Sequence, residues 1–493
     1  MSLKESCGVL GVHAEDDDVF PYLYWGMLAQ NHRGHQSHGF AIFNGNIEIY
    51  TGLGLLPSLS GDGPLKGFRK VEGRSGIANV RYATSGPSDA MALQRDAMPI
   101  KVSDEDRSVA ISFNGNIINV RDLQRRVGAD ENLSDTHALA LLLLQRLGET
   151  CSITEAARSC MKGIDGSFSV TGITDDGTIF AFKDPVGVKP LCYGCNGDVN
   201  AFSSESVGLD INAIEFHHEL RPGELITIQD GMLSNEQVGH SSRRAFCSFE
   251  FAYFARPDSK LNGKYVYQAR RDFGAALARI YSDEASRCDV VVSLPETAND
   301  AAYGFHEESG LPWDMATRRH RYVTERAFIL NSECRENLLA NKVNILKDRI
   351  RGKNIALVDD SIVRGDTART NVRRFRAAGA NQIHLFITFP RILGPCFYGI
   401  DMATYGELIG ARLEPDEIAK ALGANSINYL PINEYVKATG MSRDELCLGC
   451  VTGKYPTPMA NELSKEMKIL IERGEKEKGR IYEKIKVLHS TRD

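Results

Sequence analysis

The chain has 493 residues, which suggests two to four domains of about 150 residues each. A hydrophobic content of 42%, a charged content of 25% and a net charge of −6 without a basic stripe indicate a folded protein and argue against a nucleic-acid binder. No apolar run approaches the roughly 18 residues of a membrane span, and segment 1–6 is too short and polar for a signal peptide, so we expect a cytoplasmic protein with no membrane partner.

The first part of the chain, to about residue 240, is rich in short β-type runs separated by Gly, Asn and Asp turns. Strands are predicted at residues 8–12, 41–42, 47–50, 109–113, 168–173, 179–182 and 225–228. Two helical patterns stand among them, at residues 19–31 and 136–147. This alternation predicts stacked antiparallel sheets with helices outside them.

The pattern changes beyond about residue 260. Helices are predicted at residues 265–282 and 367–378, and strands at residues 290–294, 355–358 and 383–389. The succession of strand, helix and strand from residue 355 onwards is a βαβ unit, which implies a parallel sheet with ligands at the carboxyl ends of its strands. The Lys- and Glu-rich stretch 460–488 predicts a solvated surface helix.

The predicted strand 355–358 ends in two adjacent carboxylates, Asp359 and Asp360, before a short loop that leads into a helix. The loop amides, the hydroxyls of Ser361 and Thr367 and the positive end of the helix dipole suit a phosphate group. Paired carboxylates suit a ribose diol and a nearby Mg²⁺. An ordinary acidic turn is the alternative, but carboxylates, hydroxyls and a glycine together favour a binding site.

Cysteines are expected to be reduced in this setting, so clustered ones suggest metal ligands or nucleophiles. Cys447 and Cys450 form a C-x-x-C in a glycine-rich turn, with Cys247 and Cys396 far upstream. Four soft thiolates suit Zn²⁺ or an iron–sulfur cluster, and spacing does not decide between them. Six cysteines have no neighbouring motif and are interpreted as buried thiols: Cys151, Cys160, Cys192, Cys195, Cys288 and Cys334.

Segment 357–367 resembles the phosphoribosyl-pyrophosphate fingerprint of type I phosphoribosyltransferases, and its D-D-S-I-V-R-G run is similar to that of the amidophosphoribosyltransferase family. Segments 249–259, 321–329 and 396–401 resemble the domain junction, the flexible lid and a later block of that family, so the likeness covers nearly the whole chain. The resemblance implies transfer of glutamine-derived ammonia to phosphoribosyl pyrophosphate. The products would be 5-phosphoribosylamine, pyrophosphate and glutamate, in the first step of de novo purine synthesis.

The resemblance also implies an α/β fold with two domains behind a propeptide at residues 1–6. Residues 7–245 would form a glutaminase with the αββα fold of N-terminal-nucleophile (Ntn) hydrolases. Residues 246–455 would form a type I phosphoribosyltransferase with a parallel sheet, followed by a C-terminal helix at 456–493. Family members are homo-oligomers, so a homodimer or homotetramer inhibited by purine nucleotides is expected.

Taken alone, Cys7 would be a core thiol, and Asn114-Gly115 would be a hairpin turn. The resemblance instead makes Cys7 the nucleophile, with its own free α-amine as the base, which requires removal of residues 1–6. The Asn114 side chain and the Gly115 amide would form the oxyanion hole in a turn. The glutamine-binding residues would be Arg33, Arg81, Thr84 and Asp135, where Arg81 clamps the α-carboxylate and Asp135 binds the α-ammonium.

The phosphoribosyl site implied by the resemblance centres on Asp359 and Asp360, which would bind the ribose hydroxyls and Mg²⁺. Thr297 would lie in the pyrophosphate loop near the same Mg²⁺, and Arg321 and Lys342 would reach the phosphates. The 5′-phosphate loop would comprise Ser361, Ile362, Val363, Arg364, Gly365 and Thr367. For the cysteine quartet, the family's iron–sulfur branch implies a structural [4Fe–4S] cluster on Cys247, Cys396, Cys447 and Cys450.

Several positions depart from the family pattern: Asn79, Met98, Phe113, His137, Lys189, Glu296, Asp366 and the inserted residue at Thr324-Glu325. They motivate one alternative, a divergent non-catalytic or ammonia-only relative that binds a regulatory nucleotide. A second alternative is an enzyme that shares the glutaminase half but acts on a sugar phosphate or ATP, as glucosamine-6-phosphate synthase or asparagine synthetase does. Such an enzyme would lack the Asp359-Asp360 motif.

Overall fold

A computed structural model describes residues 7–59, 63–82, 90–319, 343–475 and 477. Contacts divide the chain into two compact units. The sandwich unit comprises the described parts of Lys4–Cys247, Cys396–Ala403 and Lys454–Asp493, and the parallel-sheet unit comprises those of Ser248–Pro395 and Thr404–Gly453. Residues 396–403, which lie inside the predicted second domain, therefore group with the sandwich unit.

Two antiparallel sheets form the sandwich unit. Their strands, in chain order, are β1 (Gly8–Ala14), β2 (Ser37–Phe43), β3 (Ile47–Leu53), β4 (Ser75–Arg81), β5 (Ile100–Ser103), β6 (Ser108–Ile117), β7 (Gly166–Thr174), β8 (Ile179–Lys183), β9 (Cys192–Cys195), β10 (Val199–Ser203), β11 (Glu215–Glu219), β12 (Glu224–Gln229) and β13 (Met232–Gln237). The first sheet has the order β11-β9-β10-β1-β4-β2-β3, and the second has the order β13-β12-β8-β7-β6-β5. Strand β1 is therefore central, paired with β4 and β10 and buried along its whole length.

Apolar side chains fill the space between the two sheets, where Val9 and Ile77 of the first meet Ala110, Ile179 and Ile226 of the second. Helices Phe20–Ala29 and Val207–Asp210 cover the outer face of the first sheet. The helices on the second sheet are Val120–Val127, Asp135–Thr150 and Ile153–Cys160. The resulting helix–sheet–sheet–helix layering confirms the predicted αββα fold. Helices Ala90–Arg95 and Pro458–Glu472 complete the unit, together with a 3₁₀ turn at Phe68–Lys70.

A four-stranded parallel sheet forms the centre of the other unit. The remaining strands of the chain are β14 (Phe246–Cys247), β15 (Lys260–Leu261), β16 (Lys264–Tyr265), β17 (Val290–Ser293), β18 (Thr317–Arg319), β19 (Val343–Ile345), β20 (Asn354–Asp359), β21 (Gln382–Ile387), β22 (Ser426–Tyr429) and β23 (Leu446–Cys447). The parallel order is β17-β20-β21-β22, which confirms the predicted parallel sheet.

Helices pack on both faces of this sheet. On one face, Asp366–Ala377 and Pro415–Leu422 contribute Val372, Phe375 and Leu422 to the apolar core. On the other, Phe305 meets Phe386 at a ring-centroid distance of 4.6 Å. The other helical segments of this unit are Glu250–Phe254 (π-helical), Val266–Ile280, Ser282–Ala285, Asn299–Ser309, Lys347–Ile350, Ile409–Arg412, Ile432–Thr439, Arg443–Glu445 (3₁₀) and Gly449–Thr452.

Three sequence-based expectations differ from the structure. Asn114-Gly115-Asn116 lies within β6 rather than in a turn, because this segment pairs with β7 residue by residue. The predicted helix 460–488 ends at Glu472, since Gly474 adopts a left-handed conformation with φ 76°, and residues beyond 477 lie outside the described part. Strand β4 was not predicted, because buried polar residues interrupt its apolar pattern. No helix in the described ranges is long and apolar enough to cross a membrane.

Candidate active site

Cys7 immediately precedes the central strand β1 and is only 6% exposed. Strand β1 pairs with β4 in a register that places Gly8 opposite Val80, so the chain leaving β4 passes beside Cys7. The Cys7 thiol accordingly donates to the backbone carbonyl of Tyr82 across 3.6 Å. The sheet register thus fixes a cysteine at the beginning of a buried strand.

Burial raises the pKa of the Cys7 thiol above its ordinary value. The positive charge of Arg81, the bond to Tyr82 and the positive charge of Lys189 oppose this effect, whereas the negative charge of Asp135 adds to it. The thiol is therefore protonated near neutral pH. A reaction at this sulfur requires a base that takes the proton.

Asn114 and Gly115 occupy adjacent positions in β6, opposite Ser169 and Phe168 of β7. A side chain at position 115 would place its Cβ 2.0 Å from the backbone oxygen of Ser167, so only glycine fits there. Asn114 is buried, and its Nδ2 has no hydrogen-bond partner among the described residues. Because buried donors are almost always bonded, this amide indicates a missing acceptor.

Segment Cys396–Ala403 packs against the same end of β6. The Asn116 side chain donates to the backbone carbonyl of Phe397 at 2.9 Å, and Ser167 Oγ donates to that of Tyr398 at 3.1 Å. Both contacts support the two paired strands beside Asn114 and Gly115. Nothing local in the sequence connects positions 116 and 397, so these contacts were not predicted.

Arg81 is the last residue of β4 and is buried. Its Nη2 lies 3.9 Å from the carboxylate of Asp96, which also accepts two hydrogen bonds from Arg95. Arg81 Nη1 has no hydrogen-bond partner in the described part of the chain. A buried guanidinium with a spare donor fits recognition of a carboxylate. The supporting Asp96 was not predicted from the sequence.

Asp135 begins the helix Asp135–Thr150, whose N-cap is Ser134. Its carboxylate accepts from the backbone amides of Ile117 at 3.2 Å and Thr136 at 2.9 Å. The helix dipole favours a negative charge at this end. Because the charge of Asp135 also acts on the pKa of Cys7, this carboxylate lies within electrostatic reach of the thiol.

The buried Arg33 contacts the backbone of the cysteine. Its Nε donates to the carbonyl of Cys7 at 3.1 Å, and its Nη1 pairs with the buried carboxylate of Glu205. Asn79, one of the positions that depart from the family pattern, also contacts this backbone, since its Nδ2 donates to the carbonyl of Gly8 at 3.0 Å. Glu205 was not predicted, because it is 172 residues from Arg33 in the chain.

In the parallel-sheet unit, Asp359 ends β20 and Asp360 follows it at the carboxyl edge of the sheet. The Asp360 carboxylate accepts from the hydroxyl of Ser361 at 2.7 Å, and the hydroxyl of Thr297 also bonds to it. The backbone amide of Asp360 donates to the carboxylate of Asp359 at 2.9 Å. The structure thus brings together Thr297, Ser361 and the acidic pair, residues that the resemblance assigns to one site.

Both carboxyl groups of this acidic pair have raised pKa values. Burial raises the pKa of Asp359 well above its ordinary range, and the charge of Asp360 adds to the effect. Burial likewise raises the pKa of Asp360 to about 6, against the hydrogen bonds from Ser361 and Thr297 and the charge of Arg270. Two adjacent carboxylates repel each other, so a divalent cation bound between them would favour their charged forms.

The loop after the acidic pair leads into the helix Asp366–Ala377. Gly365 adopts φ 87°, a conformation that favours glycine, and Arg364 pairs with Glu407. Thr367 Oγ1 is buried without a hydrogen-bond partner among the described residues, which suits an anion at the helix N-terminus. The other predicted loop members, Ile362 and Val363, are buried apolar residues, so only their backbone can reach a phosphate.

Three predicted site residues, Thr84, Arg321 and Lys342, lie outside the described residues, as does the predicted lid 321–329. Asp366, one of the positions that depart from the family pattern, adds a negative charge at the start of the helix after this loop. Its side chain is exposed and lies 3.4 Å from Arg369 one helical turn later. The negative charge of Asp366 is therefore screened by solvent and by the guanidinium of Arg369.

The four cysteines predicted as cluster ligands, Cys247, Cys396, Cys447 and Cys450, are all buried. In the parallel-sheet unit, the backbone carbonyl of Cys450 accepts from the amides of Leu393 and Gly394. In the sandwich unit, the amide of Tyr398 donates to Cys396 Sγ at 3.4 Å. Across the described ranges, no group of three or more His, Cys, Asp or Glu side chains is arranged to hold a metal ion.

The remaining cysteines only partly fit the prediction of buried thiols. Cys160, Cys192 and Cys288 are buried, which confirms it for them. The prediction is wrong for Cys151, which is exposed because it caps the C-terminus of the helix Asp135–Thr150 with φ 51°. Cys195 is only half-buried near the sheet edge, and Cys334 lies outside the described residues.

Comparison with known proteins gives matches over most of the chain. A family model described as a glutamine amidotransferase domain matches residues 88–210. The amidophosphoribosyltransferase of Archaeoglobus fulgidus is 36% identical over 464 residues, covering 92% of this chain and 99% of that protein. The amidophosphoribosyltransferase of Methanocaldococcus jannaschii is 37% identical over 473 residues, covering 92% and 98%.

Among solved structures, the glutamine phosphoribosylpyrophosphate amidotransferase from B. subtilis, complexed with ADP and GMP, matches with a TM-score of 0.83. It is 32% identical and covers 92% of this chain and 98% of its own. Sequence and structural similarity therefore extend over both units. The chain belongs to the amidophosphoribosyltransferase family.

Proposed function

We propose that this chain uses glutamine to convert phosphoribosyl pyrophosphate into 5-phosphoribosylamine, the first step of de novo purine synthesis, with release of pyrophosphate and glutamate. The observation that carries the glutamine half is a pair of buried donors, Asn114 Nδ2 and Arg81 Nη1, which lack partners among the described residues. Glutamine offers a matching acceptor for each, its amide oxygen and its α-carboxylate. Arg81 follows Val80, the partner of Gly8 in the sheet, and its charge acts on the thiol of Cys7, which supports a glutamine site that includes both residues.

In the glutaminase reaction, Cys7 Sγ attacks the side-chain amide carbon of glutamine. The carbon–nitrogen bond then breaks, and the leaving nitrogen takes up the proton that the thiol gave to the base, so that it departs as ammonia. Water then hydrolyses the thioester to glutamate. The Asn114 side chain and the Gly115 amide stabilise the oxyanion, a contribution typically of about 100- to 1,000-fold per donor. Arg81 binds the α-carboxylate and Asp135 binds the α-ammonium.

The base for this reaction is proposed to be the α-amine of Cys7 itself. The thiol is protonated at neutral pH because burial raises its pKa, and its hydrogen bond goes to the carbonyl of Tyr82, which is not basic. Arg81 and Lys189 act on the thiol as positive charges. An amide nitrogen at residue 7 would have no basic lone pair, so the amine must be freed by removal of residues 1–6.

Mass spectrometry of the active protein is expected to show Cys7 as its first residue. A variant in which removal of residues 1–6 is blocked should lose glutamine-dependent activity and retain ammonia-dependent activity, because only the glutaminase needs the amine. The matched control is the same variant supplied with ammonia. Full glutaminase activity from chains that still begin at Met1 would show that the base lies elsewhere.

In the second reaction, ammonia attacks C1 of the ribose from the face opposite the leaving pyrophosphate. Asp359 and Asp360 bind the ribose hydroxyls, and the amides of segment 361–367 with the Thr367 hydroxyl bind the 5′-phosphate. The oxygen donors of the acidic pair and Thr297 fit Mg²⁺, which prefers oxygen ligands. When bound, Mg²⁺ would supply positive charge for the departing pyrophosphate.

A [4Fe–4S] cluster on Cys247, Cys396, Cys447 and Cys450 is part of the proposal. Four buried cysteines are the usual ligand set of such a cluster, and the amide that donates to Cys396 Sγ fits a sulfur that carries negative charge. Each cysteine would bind a different iron, so the four sulfur atoms need not converge on one ion. The cluster would be structural and would take no part in either reaction.

The protein purified without air is expected to be brown and to contain about four irons per chain. Cys447→Ser should lower its thermal stability, because a structural metal site contributes directly to folding free energy. Cys288→Ser, which changes another buried cysteine of the same unit, is the control and should keep the iron. A colourless, active protein with zinc or no metal would rule out the cluster.

Purine nucleotides are proposed as inhibitors, since a relative was solved with ADP and GMP. A homodimeric or homotetrameric state and a cytoplasmic location stay predictions. Size-exclusion chromatography with light scattering tests the oligomeric state. Measuring phosphoribosylamine formation in the presence of each nucleotide tests the proposed inhibition.

A further inference from the structure

Two contacts hold the backbone at the first residues of β1. At Cys7, Arg33 Nε donates to the backbone carbonyl at 3.1 Å. At Val9, the backbone amide donates to Ser204 Oγ at 2.9 Å, and the amide of Ser204 donates back to the carbonyl of Val9 at 3.0 Å. The start of this strand is therefore fixed at two points.

The residue after Ser204 connects these two contacts. Glu205 is completely buried, and its Oε1 pairs with Arg33 Nη1 and accepts from His32 Nε2 at 2.8 Å. Its backbone carbonyl accepts from Ser203 Oγ at 2.7 Å. Segment 203–205 thus holds β1 directly through Ser204 and indirectly through the ion pair of Glu205 with Arg33.

We propose that Glu205 is a positioning residue for the nucleophile, acting through Arg33 on the carbonyl of Cys7. This inference rests on the proposed function, in which Cys7 is the first residue of the active chain. Terminal residues are usually poorly ordered unless something ties them down. An N-terminal nucleophile must leave its amine free as the base, so only its carbonyl side can be tied, and Arg33 binds that carbonyl.

The negative charge of Glu205, as well as its shape, is needed to hold Arg33 at the carbonyl of Cys7. Arg33 is buried with it, and a buried guanidinium that loses its carboxylate tends to move towards water or another acceptor. Either movement would release the carbonyl of Cys7. A displacement of about 1 Å at a reacting group can cost about 100-fold in rate.

The test compares Glu205→Gln, Glu205→Asp and the control Glu224→Gln. Glu224 is also completely buried in the sandwich unit and also pairs with one arginine and one histidine, Arg221 and His218. No contact of Glu224 described here leads to Cys7. The readouts are kcat and KM for glutamine, the ammonia-dependent rate and the melting temperature.

We expect Glu205→Gln to lower the glutamine-dependent kcat by about 100-fold, because Cys7 moves away from its reacting position. The KM for glutamine should stay within about twofold of the wild-type value, because the contacts to the α-carboxylate and the α-ammonium are kept. The ammonia-dependent rate should not change. Glu205→Asp keeps the charge on a shorter side chain, so its glutamine-dependent kcat should be about tenfold higher than that of Glu205→Gln. Glu224→Gln should keep the wild-type kcat even if it melts earlier.

Three results would overturn the inference: a wild-type kcat in Glu205→Gln, an equal loss of kcat in Glu224→Gln, or a loss that falls on KM alone. If Glu205→Gln does not fold, Glu205→Asp decides by the same division between kcat and KM. A wild-type protein without glutamine-dependent activity would overturn the proposed function as well. An active wild type with an unimpaired Glu205→Gln variant would overturn only the role of Glu205.

Discussion

Asp359→Asn is expected to reduce phosphoribosyl transfer by about 100-fold or more with either nitrogen source, glutamine or ammonia. Asp359 ends β20 beside Asp360. In the proposed reaction, this pair would provide the oxygen ligands for the ribose hydroxyls and Mg²⁺. Both nitrogen sources use this one sugar site, so both reactions should fail together. The measurement is phosphoribosylamine formation with each source at saturating phosphoribosyl pyrophosphate.

Asp289→Asn is the matched control for this substitution. Asp289 immediately precedes β17 of the same sheet, at the amino end, where its carboxylate accepts from the backbone amide of Asn354 at 2.7 Å. Its loss should affect stability and leave both rates close to wild type. Retention of the ammonia-dependent rate in Asp359→Asn would contradict the assignment of the sugar site.

Cys7→Ser is expected to lower the glutamine-dependent rate by about 1,000-fold or more and to leave the ammonia-dependent rate nearly intact. A serine hydroxyl at this position is a much weaker nucleophile than a thiolate, whereas the phosphoribosyl site does not use the sulfur. The measurement is phosphoribosylamine formation with each nitrogen source, together with glutamate release. The control is Cys160→Ser, a buried cysteine of the same unit whose pKa burial raises to about 12.

The same experiment separates the alternatives. An ammonia-only relative would show no glutamine-dependent activity even in the wild type, and a non-catalytic relative would show neither activity. An enzyme that uses a different second substrate would release glutamate without forming phosphoribosylamine. If Cys7→Ser lost both activities equally, the two-site interpretation would be wrong or Cys7 would be structural.

The sequence predicted the elements whose patterns are local. Strands β1, β6, β7, β8 and β20 combine apolar runs with flanking turn residues, and each was placed close to its observed position. The acidic pair follows β20 directly, so its position at the carboxyl edge follows from the strand alone. A local sequence pattern was therefore sufficient to predict the position of a site that lies at the end of a single strand.

Contacts between distant segments could not be predicted in this way. Arg33 and Glu205 meet because β1, which passes beside both, pairs with β10 and β4. The charge of Arg270 lowers the pKa of Asp360, although Arg270 lies in the helix Val266–Ile280, which precedes the parallel sheet in the chain. Sequence separation hides such pairs, since only the completed fold brings them together.

The central place of β1 has a consequence for synthesis on the ribosome. Its seven residues are made before the other strands of its sheet, but one of its two neighbours, β10, is made only when Val199–Ser203 has been translated. Until then, this buried apolar strand has an unpaired edge, which is a known risk for aggregation. At about 5–20 residues per second, this wait lasts on the order of ten seconds or more. Strand β1 therefore depends on protection during translation more than any later strand of its sheet.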